Sequence, residues 1–330
     1  MNMKLIRQKG LWHYVAFIVG MLLIMLIITR FKYFYGSTMD WSSQAFSIPE
    51  YFRMLFYKTG ELFPSFAFNI GAGQNIYNLS YYGFLSPMFF ASLLFPFITM
   101  RTFVIAFSVI SIITSVILIY NWLKEKFSVN IAFYASLCFE FSGALIFQSH
   151  RQIMFIIYMP FLILALRGME KYLVHGKRVQ LIISTFLVIM SNYFFSVTAI
   201  VVIVFFGIIL YIKNNKKAQF KQLILIVSRM VGNILTSIAM SAILWLPTMY
   251  VLLLGRKESN VNFSLKELLF PNFNENAILY SHYSLGLTAI FIIAIAYGLI
   301  SGKAHLRFAS IVFMLISFFG IFKLLNCFTY

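Results

Sequence analysis

The sequence predicts an all-α, polytopic integral membrane protein, and three observations carry that prediction. Hydrophobic residues fill 61% of the 330 positions and charged residues only 11%, whereas about a quarter of a soluble domain is charged. The mean hydropathy is +0.88. Apolar residues come in long unbroken runs rather than in ten-residue stretches of alternation, so helices and not a closed barrel must satisfy the backbone in lipid. The 26 lysines and arginines outnumber nine acids, but they sit in short clusters between the apolar runs. Clusters so placed set topology, and no nucleic-acid partner is read from them. Nine crossings are expected in a single transmembrane domain over 1–330, with the N-terminus cytoplasmic and the protein resident in the cell membrane.

Lys4, Arg7 and Lys9 precede an uncharged run from Leu11 to Thr29, long enough to span the roughly 30 Å hydrocarbon layer. Its apolar stretch is longer than a signal peptide's and has no cleavage motif, so it reads as a first anchoring helix. Residues 31–100 form a first external loop with Asp40, Glu50, Glu61 and many aromatics. Within it, Ser47-Ile48-Pro49-Glu50 has the pattern of a capping box. Ile48, Tyr51, Phe52, Leu55 and Phe56 then fall on one face, which predicts an amphipathic helix lying on the outer leaflet and ended by Gly60. Gly71-Ala72-Gly73 reads as a turn, and Ser86-Pro87 opens a second short helix, interfacial or re-entrant, reaching about Ile98.

Crossings follow at Thr102–Leu123, Val129–Gln148 and Gln152–Leu166. The uncharged stretch Val179–Ile212 is long enough for one helix or two. One helix would put Lys213, Lys216, Lys217 and Lys221 outside, so two short crossings broken near Ser191-Asn192-Tyr193 are expected. Gln222–Tyr250 exits, 256–283 makes a second external loop, and Ser284–Ser301 and Phe308–Phe322 complete the nine. On this reading the inside carries 15 Lys and Arg with two acids, and the outside ten with six acids.

The cytoplasmic turns, about ten residues each, cannot fold a nucleotide-binding module, and none contains a phosphate-binding GxxxxGK[ST]. Gly71-Ala72-Gly73 lacks a third glycine at dinucleotide spacing. His13, His150, His175, His282 and His305 are scattered without HExxH spacing, and the two cysteines form no CxxC, so neither a metal nor any other cofactor is expected. The candidates lie outside. Asp40 is the only aspartate, with Gln44 four residues on; it is a catalytic candidate or a solvated loop acid. Arg101, Arg151 and Arg256 stand near the outer surface, where a guanidinium can take a lipid phosphate bidentately or meet anionic headgroups. Two charged groups fall at membrane depth, Glu140 and Arg229, and such groups need partners. Arg229 can snorkel inward. The two lie within about 6 Å of the same height, which would permit a pair.

Asp40-x-x-x-Gln44 outside the first helix, Gly71-x-Gly73 and Ser86-Pro87 are arranged as in the bacterial YfhO family. Phe141-Ser142-Gly143, Met159-Pro160-Phe161-Leu162, Asn192-Tyr193-Phe194-Phe195, Leu246-Pro247-Thr248 and Gly255-Arg256 extend the likeness over nearly the whole chain. The resemblance implies a GT-C type glycosyltransferase. Such an enzyme moves a sugar from a polyprenyl-phosphate-linked donor to a cell-envelope polymer, teichoic-acid-like, on the outer face. It maps the catalytic acid of the first external loop onto Asp40, with Gln44, Arg101, Arg151 and Arg256 as substrate-binding candidates. Relatives continue through further helices, so this chain is expected to be a member shortened at its C-terminus. The alternatives are a transporter or flippase for a lipid-linked saccharide, which needs a polar path at the midplane, and an inactive fragment or assembly subunit.

Overall fold

A computed structural model describes residues 3–30, 35–36, 40–151, 153–215, 220–255 and 289–318. Its elements are helical apart from one small hairpin. α1 (Met3–Ile28) is followed by a π-helical turn at Trp41–Ala45 and by α2 (Ser47–Thr59). The hairpin strands β1 (Phe66–Ala67) and β2 (Gln74–Asn75) lead into a 3-10 helix at Ile76–Tyr82 and then α3 (Pro87–Leu93). Next come α4 (Met100–Leu123), α5 (Val129–Glu140), α6 (Gly143–Arg151), α7 (Met154–Ile157), α8 (Met159–His175) and α9 (Val179–Ser191). α10 (Tyr193–Asn214), α11 (Phe220–Met240), α12 (Ala242–Gly255), α13 (Ala289–Ile300) and α14 (Ala304–Phe318) complete the described chain.

Among the described residues four helices are long and apolar enough to cross a membrane: Leu11–Ile28, Met100–Leu123, Tyr193–Asn214 and Lys221–Met240. The other expected crossings are built from shorter pieces. Val129–Gln148 is interrupted after Glu140, where Phe141 caps α5 and Gly143 opens α6. Gln152–Leu166 is divided between α7 and α8, with Pro160 in the first turn of α8. The stretch Val179–Ile212 breaks at Asn192, where the sequence places the break: Asn192 is extended (φ −162°, ψ 111°). Its Oδ1 accepts the N–H groups of Phe194 and Phe195 at 2.9 and 3.1 Å, so it starts α10 as it ends α9. Gln222–Tyr250 turns at Ser241 between α11 and α12. The second external loop, 256–283, lies outside the described residues.

Two compact units are present, Met1–Ile200 with Asn233–Leu253, and Val201–Gly232 with Leu254–Tyr330. In the first, α4 packs against α1, α5, α7 and α8. Phe17, Met21, Val104, Ile112, Val116, Ala132 and Ile156 fill that core. The α4 side chains Ser108, Ser111 and Ser115 are buried, each returning its hydroxyl to the carbonyl four residues back at 2.7 Å. Small residues of this kind let helices approach closely where lipid offers no hydrophobic drive. In the second unit α13 and α14 form a hairpin so tight that a Cβ on Gly298 would lie 2.0 Å from Ser310 Oγ.

The first loop departs from expectation at its start. Ser47 does not cap α2; its hydroxyl donates to Ser42 O at 3.1 Å, because the chain enters α2 already coiled in the π-helical turn. Glu50, the other half of the expected box, accepts instead from Arg53 at 2.8 Å and from Met100 N–H at 3.2 Å. The apolar face of α2 is also spent on the protein, since Ile48, Tyr51 and Phe52 bury against Ala67, Ile76, Phe84 and Phe89. Gly60 ends α2 at φ +73°, and Ser86 Oγ caps α3 by accepting from Phe89 N–H at 3.1 Å, both as read from the sequence. α3 itself stops at Leu93, short of Ile98.

Candidate functional site

Asp40 stands at the head of the π-helical turn with its side chain exposed. The turn is fixed from beneath by Trp41, 1% exposed, whose ring meets Tyr35 edge-on at 5.8 Å and Phe46 at 5.8 Å. Gly36 makes room for that indole: its φ is +109°, and a Cβ there would lie 2.4 Å from Trp41 Cδ2. The 35–36 segment is in turn tied to α6. Tyr35 donates its hydroxyl to Ser149 Oγ at 2.6 Å, and the Gly36 N–H donates to His150 Nδ1 at 3.3 Å. Burial pushes the Tyr35 phenol up to about 12, with the Ser149 bond acting in the opposite sense, so Tyr35 remains a donor. Burial lowers the His150 imidazole below its ordinary value, which keeps it neutral and able to accept.

Tyrosines gather beside Asp40. Tyr82 donates to Gln44 Oε1 at 2.5 Å, one turn on from the aspartate. The Tyr81 ring lies 5.2 Å from Tyr82, 6.2 Å from Phe194 and 6.4 Å from Phe195. Its phenol is raised above the ordinary range by burial first, and then by the charges of Tyr82, Tyr193 and Asp40. Two helices hold this arrangement in place. Asn192 Nδ2 at the α9 break donates to Tyr81 O at 3.3 Å, and the Thr248 hydroxyl on α12 lies 3.0 Å from Ser80 Oγ. The Asn192 and Thr248 motifs, far apart in sequence, thus support one corner of the fold.

Arg101 is the cation of the expected substrate-binding set that can be placed. It stands in the first turn of α4 with its guanidinium carbon 5.9 Å from the centre of the Phe46 ring. It lines a cavity of about 470 Å³ together with Phe46, Glu50, Arg53 and Phe97. Arg53 is 4% exposed and spans the cavity wall, donating to Ile98 O at 2.9 Å as well as to Glu50. The backbone of Arg151 closes α6, but its side chain is not among the described ones, and Arg256 lies outside the described residues.

Glu140 is buried, 1% exposed, at the end of α5. Its carboxyl lies against α1, where a Cβ on Gly20 would be 3.2 Å from Oε1, and neither oxygen has a hydrogen-bond partner among the described residues. Arg229 belongs to the other compact unit. Among the described residues no group of three or more His, Cys, Asp or Glu is arranged to hold a metal ion.

Sequence reasoning singled out Asp40 and Gln44 but not the neighbouring Tyr35, Tyr81, Tyr82 and His150. Tyrosines are common at membrane surfaces, and nothing in the spacing of Tyr81-Tyr82 set them apart. The corner can accept a proton at Asp40, stack a flat polar ring on tyrosine, and offer a guanidinium nearby through Phe46. No curated protein and no solved structure matches the chain. Residues 15–329, nearly the entire sequence, match the family described as bacterial membrane protein YfhO, and the chain, with its succession of apolar helices, is a multi-pass member of that family.

Proposed function

We propose that this protein is a GT-C-like glycosyltransferase that moves a sugar from a polyprenyl-phosphate-linked donor to a teichoic-acid-like envelope polymer at the outer membrane face. The observation that carries the reading is the exposed Asp40 carboxylate, mounted on a buried tryptophan and one turn from the Gln44 amide that Tyr82 engages. In the proposed step an acceptor hydroxyl oxygen bonds to the anomeric carbon while its proton passes to Asp40. The bond from that carbon to the phosphate oxygen breaks, and its electron pair leaves with the phosphate. A phosphate needs little protonation to depart, so one carboxylate suffices where glycoside hydrolysis uses two. Tyrosine faces suit the apolar face of a sugar ring, and their hydroxyls suit its polar edge. The short turns between helices, which hold no nucleotide site, also favour a sugar delivered on a lipid.

The test is reconstitution of the full chain in vesicles carrying a polyprenyl-phosphate-linked sugar and an outside glycerol-phosphate polymer. The reading predicts labelled polymer and released polyprenyl phosphate in equal amounts. Movement of the intact lipid-linked sugar between leaflets, with no labelled polymer, would establish a flippase instead.

A further inference from the structure

Directly below Arg101, α1 and α4 leave an apolar furrow of about 390 Å³, lined by Leu22 and Met25 on one side and by Thr102, Ile105, Ala106 and Val109 on the other. Ala106 is exposed and forms its floor, because a methyl side chain between larger neighbours leaves the helix surface low there. From Thr102 to Val109 the furrow runs roughly 10 Å along the helix axis, within the outer part of the hydrocarbon layer. Arg101, which lines the cavity, precedes Thr102 and stands one helical turn from Ile105, both of which line the furrow. The carboxylate inside that cavity, Glu50, is already engaged by Arg53 and by the Met100 N–H. An anion entering it meets Arg101, with the guanidinium set over Phe46.

We propose that the furrow and cavity together seat one polyprenyl phosphate carrier, with its phosphate at Arg101 and its first isoprene units along Leu22, Met25, Ile105, Ala106 and Val109. The proposal rests on the glycosyltransferase reading and adds where the carrier binds. A single furrow of about 390 Å³ suits one branched chain, whereas an ordinary phospholipid must place two. The cavity gives room beyond the phosphate for a headgroup as large as a sugar. Phe46, under the guanidinium, closes the π-helical turn that Asp40 opens.

The experiment uses the full chain in phosphatidylcholine nanodiscs with a short-chain polyprenyl phosphate bearing a diazirine on its first isoprene units. Adducts are expected on 22–25 and 102–110, competed by unlabelled polyprenyl phosphate but not by phosphatidylglycerol or by the polyprenol lacking phosphate. Ala106→Phe should fill the furrow and cut labelling by about tenfold or more, and Arg101→Gln, at an exposed site, should weaken probe binding by about tenfold through loss of a charge-assisted contact. Equal competition by phosphatidylglycerol would mean an ordinary annular lipid and overturn the proposal. So would adducts elsewhere with neither variant affecting them. If sugar transfer still depends on Asp40 in that case, the glycosyltransferase reading stands and only the carrier site is wrong. Labelling as expected without any sugar transfer would uphold the carrier site and sink the enzyme.

Discussion

At Gly36 the backbone lies at φ +109° and the hydrogen faces the Trp41 indole, so both conformation and space exclude a side chain. Gly36→Ala should cost on the order of 3 kcal/mol from backbone strain plus overpacking, read as a lower melting temperature in detergent together with loss of activity. A variant as stable as the parent would show that Trp41 can move aside. His150 gives the corner a pH dependence. Its folded value is lowered below 6.5, so its contribution to stability is present above the unfolded value and is lost as pH falls through the folded one. Protonation removes the acceptor for Gly36 N–H. The melting temperature should therefore drop on the acid side of pH 6.5, and His150→Asn, whose side-chain oxygen accepts at any pH, should flatten that drop. An unchanged acid limb in the variant would assign it to another group. Tyr82→Phe removes one hydroxyl bond to Gln44, worth about 1 kcal/mol of stability, so a far larger fall in transfer rate than in stability would mark Tyr82 as part of the site.

Among the elements, α8 and α9 approach most closely at Gly168, where a Cβ would sit 2.7 Å from Leu181 N and 2.9 Å from its Cα. Backbone cannot yield as a side chain does. Gly168→Ala should destabilise by about 2 kcal/mol, a fall of roughly 3 °C in melting temperature for a chain of this length, and no change would mean that the two helices slide apart at little cost. Much of this level was legible in the sequence. The uncharged runs gave α1 and α4, Gly60 and Ser86-Pro87 gave the ends of α2 and α3, and the lysines after Ile212 located the break at Asn192. The rest depended on contacts between distant residues. Glu50 is claimed by Arg53 and by the start of α4 fifty residues on, so its local capping pattern goes unused. The break after Glu140 carries no proline, and only the packing of its carboxyl against Gly20 distinguishes that position. Tyr81 and Tyr82 gain meaning only when Asn192 reaches the Tyr81 carbonyl and Thr248 the adjacent Ser80.

For the whole molecule, the distribution of charge expects the α4–α5 and α8–α9 turns on the cytoplasmic side. The acids there are already matched, Glu170 with Lys126 at 2.6 Å and Glu125 with Arg167, pairs exposed enough to add little stability. They leave the net positive character of that side intact. A cysteine placed at Lys213, after α10, should resist a membrane-impermeant thiol reagent in intact cells, while one at Glu61 in the first external loop should react. Labelling of Lys213→Cys from outside would reverse the orientation on which an external site depends. The account as a whole turns on Asp40, and the most direct measurement is the rate of sugar transfer to polymer by the protein and by Asp40→Asn in the same vesicles. An isosteric change at an exposed position should leave insertion and melting temperature unaltered, while loss of the general base lowers the rate by about 10² to 10⁴-fold. Transfer at the parental rate by a folded Asp40→Asn variant would contradict the account and make Asp40 a structural acid of the loop.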